Sequence, residues 1–148
     1  MTIKKIAICT DFSENAHVAF DAALDLAKQY SASLDVLHVL PPVINPFVMD
    51  PEGGSISQEA SQTLIQNLEE EMQRTYGDRL DNLVDHRLMV LSGHVSTVIL
   101  NHLTEAGIDL AIMGAFGLSG MGLVIFGSVA KRIVHRAPCS VMIVRNRR

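Results

Sequence analysis

Five short apolar runs recur along the chain. Each is separated from the next by a stretch whose apolar residues fall at helical spacing, and this alternation constrains the fold more than any other feature. "IKKIAIC" (Ile3–Cys9), "LDVLHVL" (Leu34–Leu40), "LVDHRLMVL" (Leu83–Leu91), "IDLAIMG" (Ile108–Gly114) and "SVMIVR" (Ser140–Arg145) read as strands. They are nearly continuous in apolar character, as strands covered on both faces are. Between the first two, Ala16, Ala19, Ala23, Leu26 and Tyr30 line one face of a helix, with Ser13 as its N-cap. A second helix carries Ala60, Leu64, Leu68, Met72 and Tyr76; a weak capping box of Ser55 and Gln58 opens it, and it is expected to stop near Gly77. "HVSTVILNHLTEA" ends at Gly107, and "SVAKRIVHR" is stopped by Pro138. Residues 41–56, rich in Pro, Gly and Asp, form the longest loop.

The order is thus β-α-β-α-β-α-β-α-β. It predicts an α/β fold: a doubly wound, parallel, five-stranded sheet of order 3-2-1-4-5 with helices on both faces and right-handed crossovers. With 148 residues, 48% apolar and 19% charged, residues 1–148 read as one globular domain.

The net charge of −4 argues against a nucleic-acid partner, and the terminal "RNRR" reads as a solvated tail. No window approaches the ~20 apolar residues of a membrane span, and "MTIKKIAICT" does not make a signal peptide. Cys9 and Cys139 each lie in or beside an apolar run, as free thiols do. These features predict a soluble, cytoplasmic protein with no membrane insertion. The six histidines, His94 and His102 among them, match no metal spacing and read as solvated or capping residues.

The segment between the fourth strand and the last helix is odd. Residues 113–144 hold Gly114, Gly117, Gly120, Gly122 and Gly127, five of the chain's ten glycines, and the glycine-rich half is almost wholly apolar. In a 3-2-1-4-5 sheet this loop and "TDFS" (Thr10–Ser13) flank the crevice where the strand order reverses, which is where ligands bind in such folds. The loop leads into a helix N-terminus at Gly127-Ser128, whose N–H groups and partial positive charge suit a phosphate. The spacing is neither a P-loop, since no Gly-Lys-Ser/Thr occurs, nor a dinucleotide fingerprint, since Ile125 stands where a third glycine belongs. It reads Gly114-x2-Gly117-x9-Gly127-Ser128.

That pattern resembles the universal stress protein family. The likeness runs from "IAICTDFSENA" through "LHVL" to "GSVAKRIVHRAPCSVMIV". The resemblance implies an ATP-binding α/β fold, a homodimer and a cytoplasmic role in stress tolerance or regulation. Thr10 and Asp11 would then close the first strand, with Asp11 beside ribose and adenine. Val39 would meet the adenine edge through its backbone. Met113, Gly114 and Gly117 would line the ribose and phosphate path, and Gly127, Ser128 and Val129 would hold the phosphates. Family members often carry histidine between the first two glycines and basic residues later in the loop; here Ala115, Phe116, Leu118 and Leu123 stand instead. Charge that would favour a triphosphate is absent there, leaving backbone amides and bound Mg²⁺.

ATP, with Mg²⁺, is the expected ligand, and AMP or a cyclic nucleotide stays open beside it. The expected role is that of a regulatory homodimer, paired through its C-terminal strand and read by a protein partner. The alternative is a homodimeric interaction protein of the same fold that has lost nucleotide and acts through its apolar loop, from Phe116 and Leu118 to Met121, Leu123, Val124, Ile125 and Phe126. No nucleophile is paired with a base, so no catalytic residue is assigned, and ATP hydrolysis is expected to be slow at most.

Overall fold

The computed structural model describes residues 2–42, 58–81, 84–117 and 126–146. The elements are β1 (Lys5–Cys9), α1 (Glu14–Tyr30), β2 (Ser33–Leu40), α2 (Gln58–Met72), a π-helical turn (Gln73–Gly77), α3 (Asp78–Leu80), β3 (His86–Ser92), α4 (Val95–Glu105), β4 (Leu110–Gly114), α5 (Ser128–Arg136) and β5 (Ser140–Val144). The strands form one sheet of order β3-β2-β1-β4-β5, and every pairing is parallel. The expected doubly wound architecture is therefore present. Among the described residues no helix is long and apolar enough to cross a membrane.

The period-2 alternation of the strands separates two cores. Ile6, Ile8, Leu34, Val36 and Ile112 point to one face, where α1 contributes Phe20, Ala23 and Ala27, and the α2–α3 segment contributes Met72, Tyr76 and Leu80. Ala7, Leu37, Val39, Ala111 and Met113 point to the other, against Ile99 and Leu103 of α4 and Ala130 and Ile133 of α5. Phe20 and Tyr76 are the largest fully buried side chains among the described residues, and removing such a ring costs about 3–5 kcal/mol.

The second helix does not stop near Gly77. Gly77 is itself helical (φ −56, ψ −54), and the chain continues through the π-helical turn to Leu80. Burying Tyr76 and Leu80 outweighs the cost of about 1 kcal/mol for a glycine inside a helix. The capping serine expected at position 55 lies outside the described residues. Two other helix signals hold: Ser13 Oγ accepts from the Ala16 amide at 3.2 Å, and Gly107 adopts φ +62 just past α4.

Asp35 is 4% exposed in the middle of β2. Its cross-strand partner Arg87 donates to it through Nε at 2.8 Å and Nη2 at 2.6 Å, and His102 of α4 approaches through Nε2 at 2.9 Å. His102 is thus neither solvated nor a cap; it ties α4 to the sheet. The Asp35 carboxylate raises the Arg87 guanidinium above its usual range. At the amino end of the sheet, Asp109 accepts the amides of Lys4 and Lys5 at 2.8 and 2.9 Å. Those two bonds hold its carboxyl below the usual carboxylate range.

Candidate functional site: a crevice at the carboxyl ends of β1 and β4

β1 and β4 are neighbours, but the segments that follow them turn to opposite faces. β1 feeds α1 on one side and β4 leads toward α5 on the other. The gap between them is the switch point of the sheet. A cavity of ≈ 480 Å³ opens there, within the range of small-molecule sites. The structure brings all nine sequence-derived candidates to its wall: Thr10, Asp11, Val39, Met113, Gly114, Gly117, Gly127, Ser128 and Val129.

The wall from β1 is tightly determined. Phe12 has φ +61, a left-handed conformation that a bulky side chain rarely adopts. Its amide donates to Thr10 Oγ1 at 3.0 Å, and the Ser13 amide donates to Asp11 Oδ1 at 3.0 Å. The Thr10 amide meets the Leu37 carbonyl at 2.8 Å, and the Thr10 carbonyl accepts from His38 Nδ1 at 2.9 Å. That last contact fixes the tautomer, because a carbonyl can only accept. Thr10 lines the cavity, but its hydroxyl is engaged 2.5 Å from the Tyr76 hydroxyl. Its part is to set Asp11 in place.

At the base end, the Leu37 carbonyl faces β1. Two residues on, where β1 has ended, Val39 turns its amide and carbonyl to the same side and so toward the crevice. Cys9, Leu37, Val95 and Ile99 make this end apolar. Burial pushes the Cys9 thiol up to about 12, so it is a neutral wall group; Cys9 and Cys139 are both free and half-buried.

At the opposite end stands the N-terminus of α5. Gly127 is its N-cap (φ −63, ψ 158) and supplies no side-chain cap. The Gly127 amide is already spent on the Ala115 carbonyl at 2.9 Å, which draws the helix onto the end of β4. The first intrahelical bond runs from the Lys131 amide to the Gly127 carbonyl. The amides of Ser128, Val129 and Ala130 therefore have no acceptor within the helix, and all three residues line the cavity.

The three motif glycines are glycines for different reasons. A Cβ on Gly114 would come within 3.0 Å of the Asn15 backbone, so this position serves the packing of β4 against α1. A Cβ on Gly117 would come within 2.5 Å of Asp11 Oδ2. At Gly127 the nearest atom would be the Ala115 carbonyl oxygen at 3.7 Å, an ordinary contact, and φ is negative. Neither the backbone nor the packing of the described residues requires glycine there.

Four residues escaped sequence reasoning. Tyr76 reaches Thr10 and, at 3.2 Å, His17 Nδ1, and its ring lies near that of Phe12. His38 lines the cavity while bracing Thr10. Arg145 and Asn146 are no solvated tail: Arg145 lies over the rings of Phe116 and Phe126, and Asn146 Nδ2 donates to Glu14 Oε1 at 2.7 Å. Only the pairing of aromatic loop residues with a basic chain end hinted at the Arg145 contact. Lys131, Arg132 and Arg136 are exposed, as expected. Of the apolar loop, Leu118–Ile125 lies outside the described residues.

Comparison with known proteins agrees over nearly the whole chain. The model of the universal stress protein family matches residues 2–145. A putative universal stress protein of Staphylococcus haemolyticus is 30% identical over 98% of this chain and 86% of its own length. Universal stress protein YxiE of Bacillus subtilis is 29% identical over 95% and 98%. Among solved structures, UspA from Lactobacillus plantarum superposes with a TM-score of 0.76 at 22% identity, covering 98% and 99% of the two chains. A universal stress protein in complex with cAMP gives 0.69 at 19% identity over 98% of each chain. One from Archaeoglobus fulgidus in complex with dAMP gives 0.59 at 15%, covering 97% and 94%.

Proposed function

The chain belongs to the universal stress protein family, and on that premise we propose that its crevice binds an adenine nucleotide, ATP with Mg²⁺, and that the protein is a nucleotide-responsive regulator. One observation carries the reading. The first turn of α5 opens into a cavity beside Gly127, where a Cβ would meet nothing closer than ordinary contact among the described residues. An open position beside unpaired amides leaves room for an occupant to approach the backbone closely. Three amides and a helix N-terminus make that occupant an anion. The cavity's length, its apolar base end and the outward-facing backbone of Val39 fit a nucleoside behind the phosphate. The neighbours solved with cAMP and dAMP support the adenine class.

The residues fit Mg·ATP in a particular way. Among the described residues no group of three His, Cys, Asp or Glu side chains is arranged to hold a metal. Mg²⁺ would arrive on the phosphates and neutralise part of their charge. Asp11 and Gly117 would border the ribose, and Ser128 and Val129 the phosphates. No lysine stands in the loop in the manner of a P-loop, so turnover is slow and the nucleotide acts as a signal. Binding biases the glycine loop, and a regulatory protein partner in the cytoplasm reads it. β5 is an edge strand with Met142 exposed, which supports pairing of two copies through it.

The test is mass spectrometry of small molecules released from the purified, denatured protein. Adenine nucleotide in amounts comparable to protein supports the reading. A protein that carries none, and binds none at millimolar concentration, favours the ligand-free interaction protein instead. Sedimentation showing a monomer at micromolar concentration would contradict the dimer.

A further inference from the structure

The glycine loop contains no basic residue, yet the fold brings a cation from elsewhere onto Phe116, a residue of the crevice wall. β5 ends at Val144, whose carbonyl accepts the Ala115 amide at 2.9 Å, so Arg145 begins beside the first residue after β4. Its guanidinium carbon lies 5.6 Å from the ring centroid of Phe116 and 5.9 Å from that of Phe126. These rings stand at the two ends of the glycine loop. Phe116 lines the cavity, and Phe126 directly precedes the N-cap of α5. Phe116, which stands in the gap where family members often carry histidine, thus shares a basic side chain from another strand with Phe126.

We propose that Arg145 is the phosphate-recognition cation of this crevice and selects nucleotides with a second and third phosphate over nucleoside monophosphates. The proposal rests on the adenine-nucleotide reading and adds a specificity residue to it. Three observations carry it. Aromatic rings engage the face of a guanidinium, while its N–H donors lie in the plane, so stacking is compatible with phosphate contact. The bond from Asn146 to Glu14 anchors the next residue, which fixes where Arg145 can reach. The third observation is linear order. The crevice runs across the sheet from Val39 on β2, past Asp11 after β1, to the β4–α5 junction, and Arg145 follows β5, the next strand in the same direction. Three inter-strand steps of about 4.8 Å give a path of about 14 Å. A base at β2 puts its first phosphate at the N-terminus of α5 and any further phosphates beyond it, toward β5.

Calorimetric titration of the full chain with Mg·ATP, Mg·ADP and AMP tests this. Arg145→Gln should lower ATP and ADP affinity about tenfold, the worth of one charge-assisted contact, and leave AMP affinity within about twofold. Arg145→Lys, which keeps the charge at an exposed position but loses the planar stack, should fall between the two. An equal loss for all three ligands would make Arg145 a structural clamp on the two rings. Unchanged ATP affinity in both variants would remove it from the site. Either result overturns the proposal while the nucleotide site stands. A parent protein that binds none of the three ligands overturns the nucleotide reading itself, and this proposal with it.

Discussion

Two helices begin at the rim of the same crevice, and they begin differently. At α1, Ser13 caps the Ala16 amide, Asp11 takes the Ser13 amide, and Glu14 puts a negative charge in the first turn. At α5 the cap is Gly127, which has no side chain to close the first turn, and that turn holds no acidic residue. The first N-terminus has the Ser13 and Ala16 amides taken up by side chains, whereas the second presents Ser128, Val129 and Ala130 to a cavity. Proximity to the crevice does not make a helix end a binding element; unspent donors do. Asp109 shows the closed arrangement again at the other end of the sheet, where one carboxylate occupies two backbone amides much as a phosphate oxygen would.

The strongest way to break the contrast is to give α5 the kind of start that α1 has. Gly127 has cap-compatible dihedrals and room for a Cβ, so Gly127→Asp should fold and cap the helix. Its carboxylate should occupy the donors and repel phosphate. We expect nucleotide affinity to drop at least a hundredfold, about 3 kcal/mol, by calorimetry, with the melting temperature unchanged or slightly raised. Removing one donor is milder: Ser128→Ala should cost about tenfold in affinity, about 1.4 kcal/mol, without altering the melt.

The reciprocal change at α1 should behave in the opposite sense. Ser13→Ala removes a cap and should destabilise the protein by about 1 kcal/mol in urea titrations. It should change nucleotide affinity far less than Ser128→Ala does. A larger loss of affinity from Ser13→Ala than from Ser128→Ala would erase the distinction between the two helix ends.

The smallest effect concerns Asp109 and pH. Its folded-state pKa is lowered, so its contribution to stability is complete above the unfolded value of about 3.9 and is lost as pH falls through the lower folded value. Thermal melts between neutral and strongly acidic pH should show the parent losing more stability than Asp109→Asn over that acid window. The two should run in parallel above it.

Much of this architecture was legible because its strands are covered on both faces. Runs such as Leu34–Leu40 announce themselves by apolar continuity, and the alternation with helices then implies a parallel sheet. The crevice followed from one rule about switch points together with the spacing of Gly114, Gly117 and Gly127. What escaped depends on partners far apart in sequence. Tyr76 reads as a core residue until its hydroxyl is found on Thr10, 66 residues away. Asp35 sits in an apolar run, and its carboxylate is explained only by Arg87 and His102, 52 and 67 positions on. Gly77 is a helix breaker by local propensity, overridden by burial on either side of it. The division of labour among the glycines was hidden as well, since their spacing does not reveal which one faces protein and which faces open space.

The central claim is that Gly127 is glycine for the sake of a ligand, and calorimetric titration of Mg·ATP into the parent and into Gly127→Val tests it most directly. The account predicts measurable binding by the parent and none by the variant, with similar melting temperatures because the added side chain meets no atom of the described residues closely at its Cβ. Equal affinities in the two proteins, or a parent that does not bind at millimolar ATP, would contradict it.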